Sequence, residues 1–152
     1  MRIGQKTVIF ALLFSVLLVS GCTKNESGSV SGSAAAGQHD EIEKLEVIHF
    51  HGTHQCYACI TVGDYAEETV NTYFKDELKS GKISFRHVNG ELSENYELVN
   101  KYGVTGASLW IGSYHKDGSF SAEQNINVWY KINNKQDYMN YLKSVIESKL
   151  QV

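Results

Sequence analysis

The sequence predicts an α/β fold: a four-stranded mixed sheet with helices on both faces, in the order β-α-β-α-β-β-α. Three observations carry this. Short apolar runs rich in β-formers alternate with segments whose apolar residues recur every three or four positions. Strands alternating with helices imply parallel pairing in the first half. Near the end, two strand-like runs lie either side of a turn signal with no helical pattern between them, which implies an antiparallel hairpin. A length of 152 residues suits one such domain plus a targeting segment.

The targeting segment comes first. Arg2 and Lys6 form a short positive region, and Val8 to Val19 is apolar almost throughout. That stretch fits a signal-peptide core and is short for a membrane span. Val19-Ser20-Gly21-Cys22 follows, and it resembles a prokaryotic lipobox, an aliphatic and two small residues before the cysteine that becomes the lipidated N-terminus. The resemblance implies residues 1–22 as a lipoprotein signal peptide, Cys22 as the lipidation site, and a domain on the extracytoplasmic face of the cell membrane. Residues 23–40 are rich in Ser, Gly and Ala with almost no large apolar side chain, which reads as a flexible tether. The domain is expected over 41–152.

Within it, Leu45 to His51 is an apolar strand run. Val62, Tyr65, Ala66, Thr69, Val70, Tyr73, Phe74 and Leu78 mark one face of a long helix that Gly81 should stop. Lys82 to Val88 alternates like a strand. Ser93 is placed to cap a shorter helix ended by Gly103. Leu109 to Tyr114 is the third strand, Lys116-Asp117-Gly118 a turn, and Ile126 to Ile132 the expected fourth strand. Asn134 should open a last helix with Tyr138, Tyr141, Leu142, Val145 and Ile146 inward.

The chemistry concentrates at Cys56-Tyr57-Ala58-Cys59, where the first strand gives way to the first helix. A cysteine at a helix start faces unpaired N–H groups and the positive end of the helix dipole. Both favour a thiolate, so Cys56 reads as the attacking sulfur. Cys59 is spaced to resolve the mixed disulfide. The third cysteine is Cys22, so its acylation leaves no unpaired thiol. A net charge of −3 suggests no nucleic-acid partner.

Here the chain resembles the thioredoxin-like superfamily, over the stretch from about Glu41 to Leu150. The resemblance rests on the order of elements, the CxxC at the strand–helix junction, and the run Tyr102-Gly103-Val104-Thr105-Gly106-Ala107-Ser108-Leu109 leading into the strand opposite. More narrowly, His51-Gly52-Thr53-His54-Gln55-Cys56-Tyr57-Ala58-Cys59 resembles a small prokaryotic group labelled nitrophenyl compound nitroreductase subunit. The resemblance implies a redox-active disulfide with no other cofactor, partners that are extracytoplasmic thiol or disulfide proteins, and a substrate groove at Ser108 and Leu109.

The sequence departs from the family in having no proline at all. Ser108 stands where the family carries a cis-proline. A non-proline cis bond costs about 2.5–4 kcal/mol, so a trans bond is expected. The buried acid that many members carry on the first strand is also absent, and His49 and His51 are the ionisable groups there. They share one side of the strand.

His54, two residues before Cys56, is the expected tuner of the thiolate, since imidazole titrates near neutrality. The alternative is a metal carrier. His51, His54, Cys56 and Cys59 together suit copper(I) or zinc. A structural disulfide in an adaptor domain is the third reading. Covalent haem needs a histidine after Cys59, where Ile60 stands.

Overall fold

The computed structural model describes residues 41–151. The signal segment, Cys22 and the tether lie outside the described residues.

The chain runs β1 (Ile42–His51), α1 (Tyr57–Tyr73), α2 (Lys75–Ser80), β2 (Ile83–Asn89), α3 (Tyr96–Tyr102), β3 (Ser108–His115), β4 (Phe120–Gln124) and α4 (Lys135–Leu150). Short 3-10 turns occupy Ser93–Asn95 and Ile126–Lys131. The sheet order is β2-β1-β3-β4. β1 and β2 are parallel, while β3 is antiparallel to both its neighbours. A parallel pair at one edge, an antiparallel hairpin at the other and helices on both faces make this a thioredoxin-like α/β fold.

Burial follows the two faces of β1. Leu45 and Val47, with Ile83, Leu109 and Ile111, pack against Val62, Ala66 and Val70 of α1 and Tyr138, Leu142 and Ile146 of α4. On the opposite face Ile48, Phe50 and Val88 pack with Tyr102 of α3. The Tyr138 hydroxyl donates to the Val62 carbonyl at 2.7 Å, which ties α4 to α1 without leaving a buried O–H unpaired. Asn134 caps α4 as expected, its side-chain oxygen accepting from the Asp137 N–H at 3.1 Å.

One charged group lies inside the second face. The Glu46 carboxylate accepts from the Tyr102 hydroxyl at 3.0 Å, the Tyr114 hydroxyl at 2.9 Å and Lys44 Nζ at 3.0 Å. Burial raises its pKa, and the bonds from Lys44, Tyr114 and Tyr102 outweigh that and leave it below the usual carboxylate value.

The elements differ from expectation at three places. The long helix breaks at Phe74, whose φ of −126° and ψ of 37° are non-helical. The break turns the Phe74 side chain into the core and lets α2 pack Leu78 against the same cluster. Ser93 makes no capping bond and instead opens the 3-10 turn that precedes α3. Gly103 does end α3, at φ 69°.

The third difference is the fourth strand, which is Phe120–Gln124 and not 126–132. Gly118 takes φ 85°, and the Asp117 carboxylate accepts the Ser119 N–H at 2.8 Å. That tight turn sets Phe120 opposite Tyr114 and Gln124 opposite Trp110. The edge position is then filled before residue 126. Ile126–Lys131 coils instead, seating Val128 in the core and leaving Tyr130 82% exposed. Its β-forming side chains do not override a ladder already occupied.

No helix among the described residues is long and apolar enough to cross a membrane.

Candidate functional site

β1 delivers the chain to the site. After His51 a four-residue loop leads to Cys56, which adopts an extended φ of −77° and ψ of 162° and is the N-cap of α1. Its Sγ accepts the Cys59 backbone N–H at 3.1 Å, and its carbonyl accepts from the Ile60 N–H at 3.0 Å. The sulfur thus occupies the place of a capping oxygen, against N–H groups the helix cannot satisfy itself. No acidic residue lies in the first turn of α1 to oppose negative charge on that sulfur.

Cys56 and Cys59 form a disulfide with Cα atoms 5.0 Å apart. Cys56 is exposed and Cys59 half-buried, so an incoming sulfur reaches Cys56 first. Tyr57, between the cysteines, is 78% exposed, and Ile60 beside them is exposed too. The disulfide is therefore flanked by apolar side chains that the fold leaves uncovered.

The loop before Cys56 is held from the end of β2. The Thr53 N–H donates to the Glu91 carboxylate at 2.9 Å, Asn89 Nδ2 to Thr53 Oγ1 at 3.1 Å, and the Gly90 N–H to the His51 carbonyl at 2.8 Å. The bonds from Thr53 hold the Glu91 carboxyl below its ordinary pKa. His54 is exposed and lines a cleft of about 400 Å³ together with His51, Glu91, Thr105, Gly106 and Ala107.

The side chains of Ser108 and Leu109 turn inward from that cleft, at 3% and 0% exposure. Ser108 Oγ donates to the Gly106 carbonyl at 2.8 Å and accepts from Trp110 Nε1 at 3.0 Å, so its hydrogen bonding is spent within the fold. The groove surface near them comes from Thr105 to Ala107. No peptide bond among the described residues is cis.

Among the described residues no three His, Cys, Asp or Glu side chains are arranged to hold a metal ion. In the set His51, His54, Cys56 and Cys59, the two sulfurs are bonded to each other and His51 Nδ1 faces the Gly52 carbonyl at 2.9 Å.

Beneath the dithiol lies a histidine cluster that spacing alone does not reveal. His49 is 1% exposed. The parallel register sets it opposite His87 of β2, and their Nδ1 atoms are 3.0 Å apart. The His51 ring stacks on His49 with centroids 5.5 Å apart. His87 Nε2 in turn meets the Glu67 carboxylate of α1 at 3.3 Å. The His49 ring lies so close to α1 that a Cβ on Gly63 would fall 2.3 Å from its Nδ1. Burial, with the neighbouring His87 and His51, lowers the His49 pKa to about 4, while the Cys59 backbone favours its protonated form. His49 is therefore a neutral imidazole at neutral pH.

No family model and no curated protein matches this sequence. Solved structures similar to it include the following two. A crystal structure of the Trx4 domain of ERdj5 shares 18% identity at a TM-score of 0.48, covering 71% of this chain and 81% of that one. The structure of a malarial protein shares 16% identity at a TM-score of 0.37, covering 60% and 96%.

Proposed function

We propose that this chain is a thiol–disulfide oxidoreductase that exchanges electrons with other extracytoplasmic proteins while tethered to the membrane through Cys22. The observation that carries the redox reading is the position of Cys56: exposed, disulfide-bonded to Cys59, and capping α1 with its sulfur. In the reducing direction the Cys56 thiolate attacks a partner disulfide and one partner sulfur leaves. Cys59 then attacks Cys56, the Cys56–Cys59 bond forms, and the second partner sulfur leaves as thiolate. The helix N-terminus lowers the energy of the Cys56 anion, which raises the thiolate fraction available for the first step. His54, exposed in the adjoining loop two residues before Cys56, is assigned as the tuner of that thiolate. Tyr57 and Ile60 suit a partner that presents an apolar polypeptide surface around its cysteine.

The tether rests on the lipobox sequence at Val19–Cys22. The segment from His51 to Cys59 resembles the group labelled nitrophenyl compound nitroreductase subunit, and dithiol exchange needs no flavin.

A redox titration of the purified chain with thiol trapping tests the reading. The expected result is a reversible two-electron midpoint in the range of known exchangers, roughly −270 to −120 mV. Cys56→Ser should abolish insulin reduction, and Cys59→Ser should accumulate a mixed disulfide with its partner. Full activity of Cys56→Ser would refute the mechanism. For the anchor, radiolabelled palmitate should enter the full chain and not Cys22→Ser; equal labelling of both rejects lipidation at Cys22.

A further inference from the structure

The cleft that His54 lines belongs to the loop leading into α1. His54 stands two residues before Cys56, so their Cα atoms lie within about 7 Å of each other. A volume of about 400 Å³ is at the small end of pockets that hold ligands and suits one long side chain better than a folded element.

Its lining has two chemical parts. Phe50, Val99 and Val104 supply apolar surface, and Glu91 supplies a carboxylate. The lining contains no lysine or arginine, and Glu91 is its one acid. That carboxylate is held in place. Its Oε2 accepts the Thr53 N–H at 2.9 Å, Thr53 Oγ1 accepts from Asn89 at 3.1 Å, and the Glu91 N–H donates to Asn89 Oδ1 at 3.0 Å. Gly52 makes the room, since a Cβ there would lie 2.8 Å from Glu91 Oε1. The ion pairs among the described residues join other carboxylates to cations, and none includes Glu91. The imidazoles of His51 and His54 share the lining and act on Glu91 through space without bonding to it.

We infer that this cleft takes a long basic side chain, lysine or arginine, carried by the partner polypeptide beside its reactive cysteine, and that Glu91 selects it. This deepens the oxidoreductase reading, and rests on it, by naming the partner's chemistry. The match has two halves. The methylene stem lies along Phe50, Val99 and Val104, as such stems do on apolar surface while the charged head reaches a polar group. The head meets a carboxylate that Thr53 has already oriented, so little ordering is required of the protein. Tyr57 and Ile60 stay uncovered at the start of α1, so the fitting partner is apolar where it meets the helix and basic where it crosses the loop before it. Glu91 forms and breaks no covalent bond; it acts on which partner is bound.

The test uses the reduced chain, with Cys22→Ser so that the dithiol alone supplies thiols, and short acetylated, amidated peptides. The single cysteine of each peptide carries thionitrobenzoate in disulfide linkage. The Cys56 thiolate bonds to the peptide sulfur and thionitrobenzoate leaves; Cys59 then bonds to Cys56 and the peptide leaves as its thiolate. Arginine, or citrulline of the same shape without the charge, is placed in turn at the positions flanking the cysteine. At the position that reaches the cleft, the arginine peptide should react at least about threefold faster in second-order rate, the size of a partly exposed ion pair. The ratio should fall toward one in about 1 M salt, where the Debye length is about 3 Å. It should also fall toward one in Glu91→Gln, whose amide oxygen can still accept from Thr53. Glu97→Gln removes the same charge outside the cleft lining and should keep the ratio. Loosening of the loop would slow both peptides and leave the ratio, so its loss reports the charge itself. A ratio near one at every position in the unsubstituted chain, a ratio that survives in Glu91→Gln, or one lost equally in Glu97→Gln overturns the site and leaves the oxidoreductase reading standing. Peptide that stays bonded to Cys56 while Cys59 remains a free thiol, read by mass spectrometry, overturns the oxidoreductase reading itself.

Discussion

Gly63 and His49 share one space. A helix interior favours alanine over glycine by about 0.8–1.0 kcal/mol, yet a Cβ at Gly63 would meet three atoms of the His49 ring within 2.9 Å. That ring is buried and held by His87, so it cannot swing aside cheaply. Gly63→Ala should therefore destabilise the fold by about 1–3 kcal/mol, the usual cost of overpacking, against the sign propensity predicts. Urea denaturation checks this, and an unchanged or raised midpoint would mean that the imidazole is not packed against α1. The same pair marks what was legible at this scale. Cys56 and Cys59 announce themselves, because their spacing and their place at a strand–helix junction are properties of one short segment. His49 reads only as one of two histidines on a strand, and His87 and Glu67 give no signal alone. Their meeting depends on a parallel register between residues 38 positions apart, which no local pattern encodes.

The elements show the same division. β1, α1, α3, β3 and α4 follow periodicity and punctuation, since each buries one face and ends at a glycine, a cap or a loop. Phe74 breaks the long helix because a core position, not a propensity, decides its backbone. β4 was hidden for a different reason. In Phe120–Gln124 only Phe120 and Ala122 are apolar, as suits an edge strand with little to bury, whereas Ile126–Ile132 carries the stronger β-forming signal. The hairpin turn settles the competition, because Gly118 at positive φ returns the chain at once beside β3. Strand phase turns the side chains of Ser108 and Leu109, the expected groove residues, inward. Leu109 pairs opposite His49 on the α1 face, and Ser108 spends its hydroxyl on Gly106 and Trp110. The cleft wall belongs to the preceding residues, with Gly106 exposed and Ala107 partly so.

For the whole molecule, the two buried ionisable groups on opposite faces of β1 make stability depend on pH in one direction and in two stages. His49 has its pKa lowered from 6.5 to about 4, chiefly by burial. Between those values the unfolded chain binds a proton that the fold excludes, so stability is complete above about pH 6.5 and declines as pH falls toward 4. Each unit of pH in that window costs up to about 1.4 kcal/mol for a single group. Glu46 is held below its ordinary 4.5 because its three donors outweigh burial. Its contribution is therefore complete above 4.5 and is lost at lower pH, when the carboxylate that Tyr102 and Tyr114 bond to is protonated. The first loss belongs to the face beneath the dithiol and the second to the face under α3. Urea midpoints measured from pH 7 to 5 should fall in the unsubstituted chain and stay nearly flat in His49→Asn, whatever that variant's absolute stability, while both decline further below pH 4.5. A flat profile in the unsubstituted chain between pH 7 and 5 would show that His49 protonates freely in the folded state.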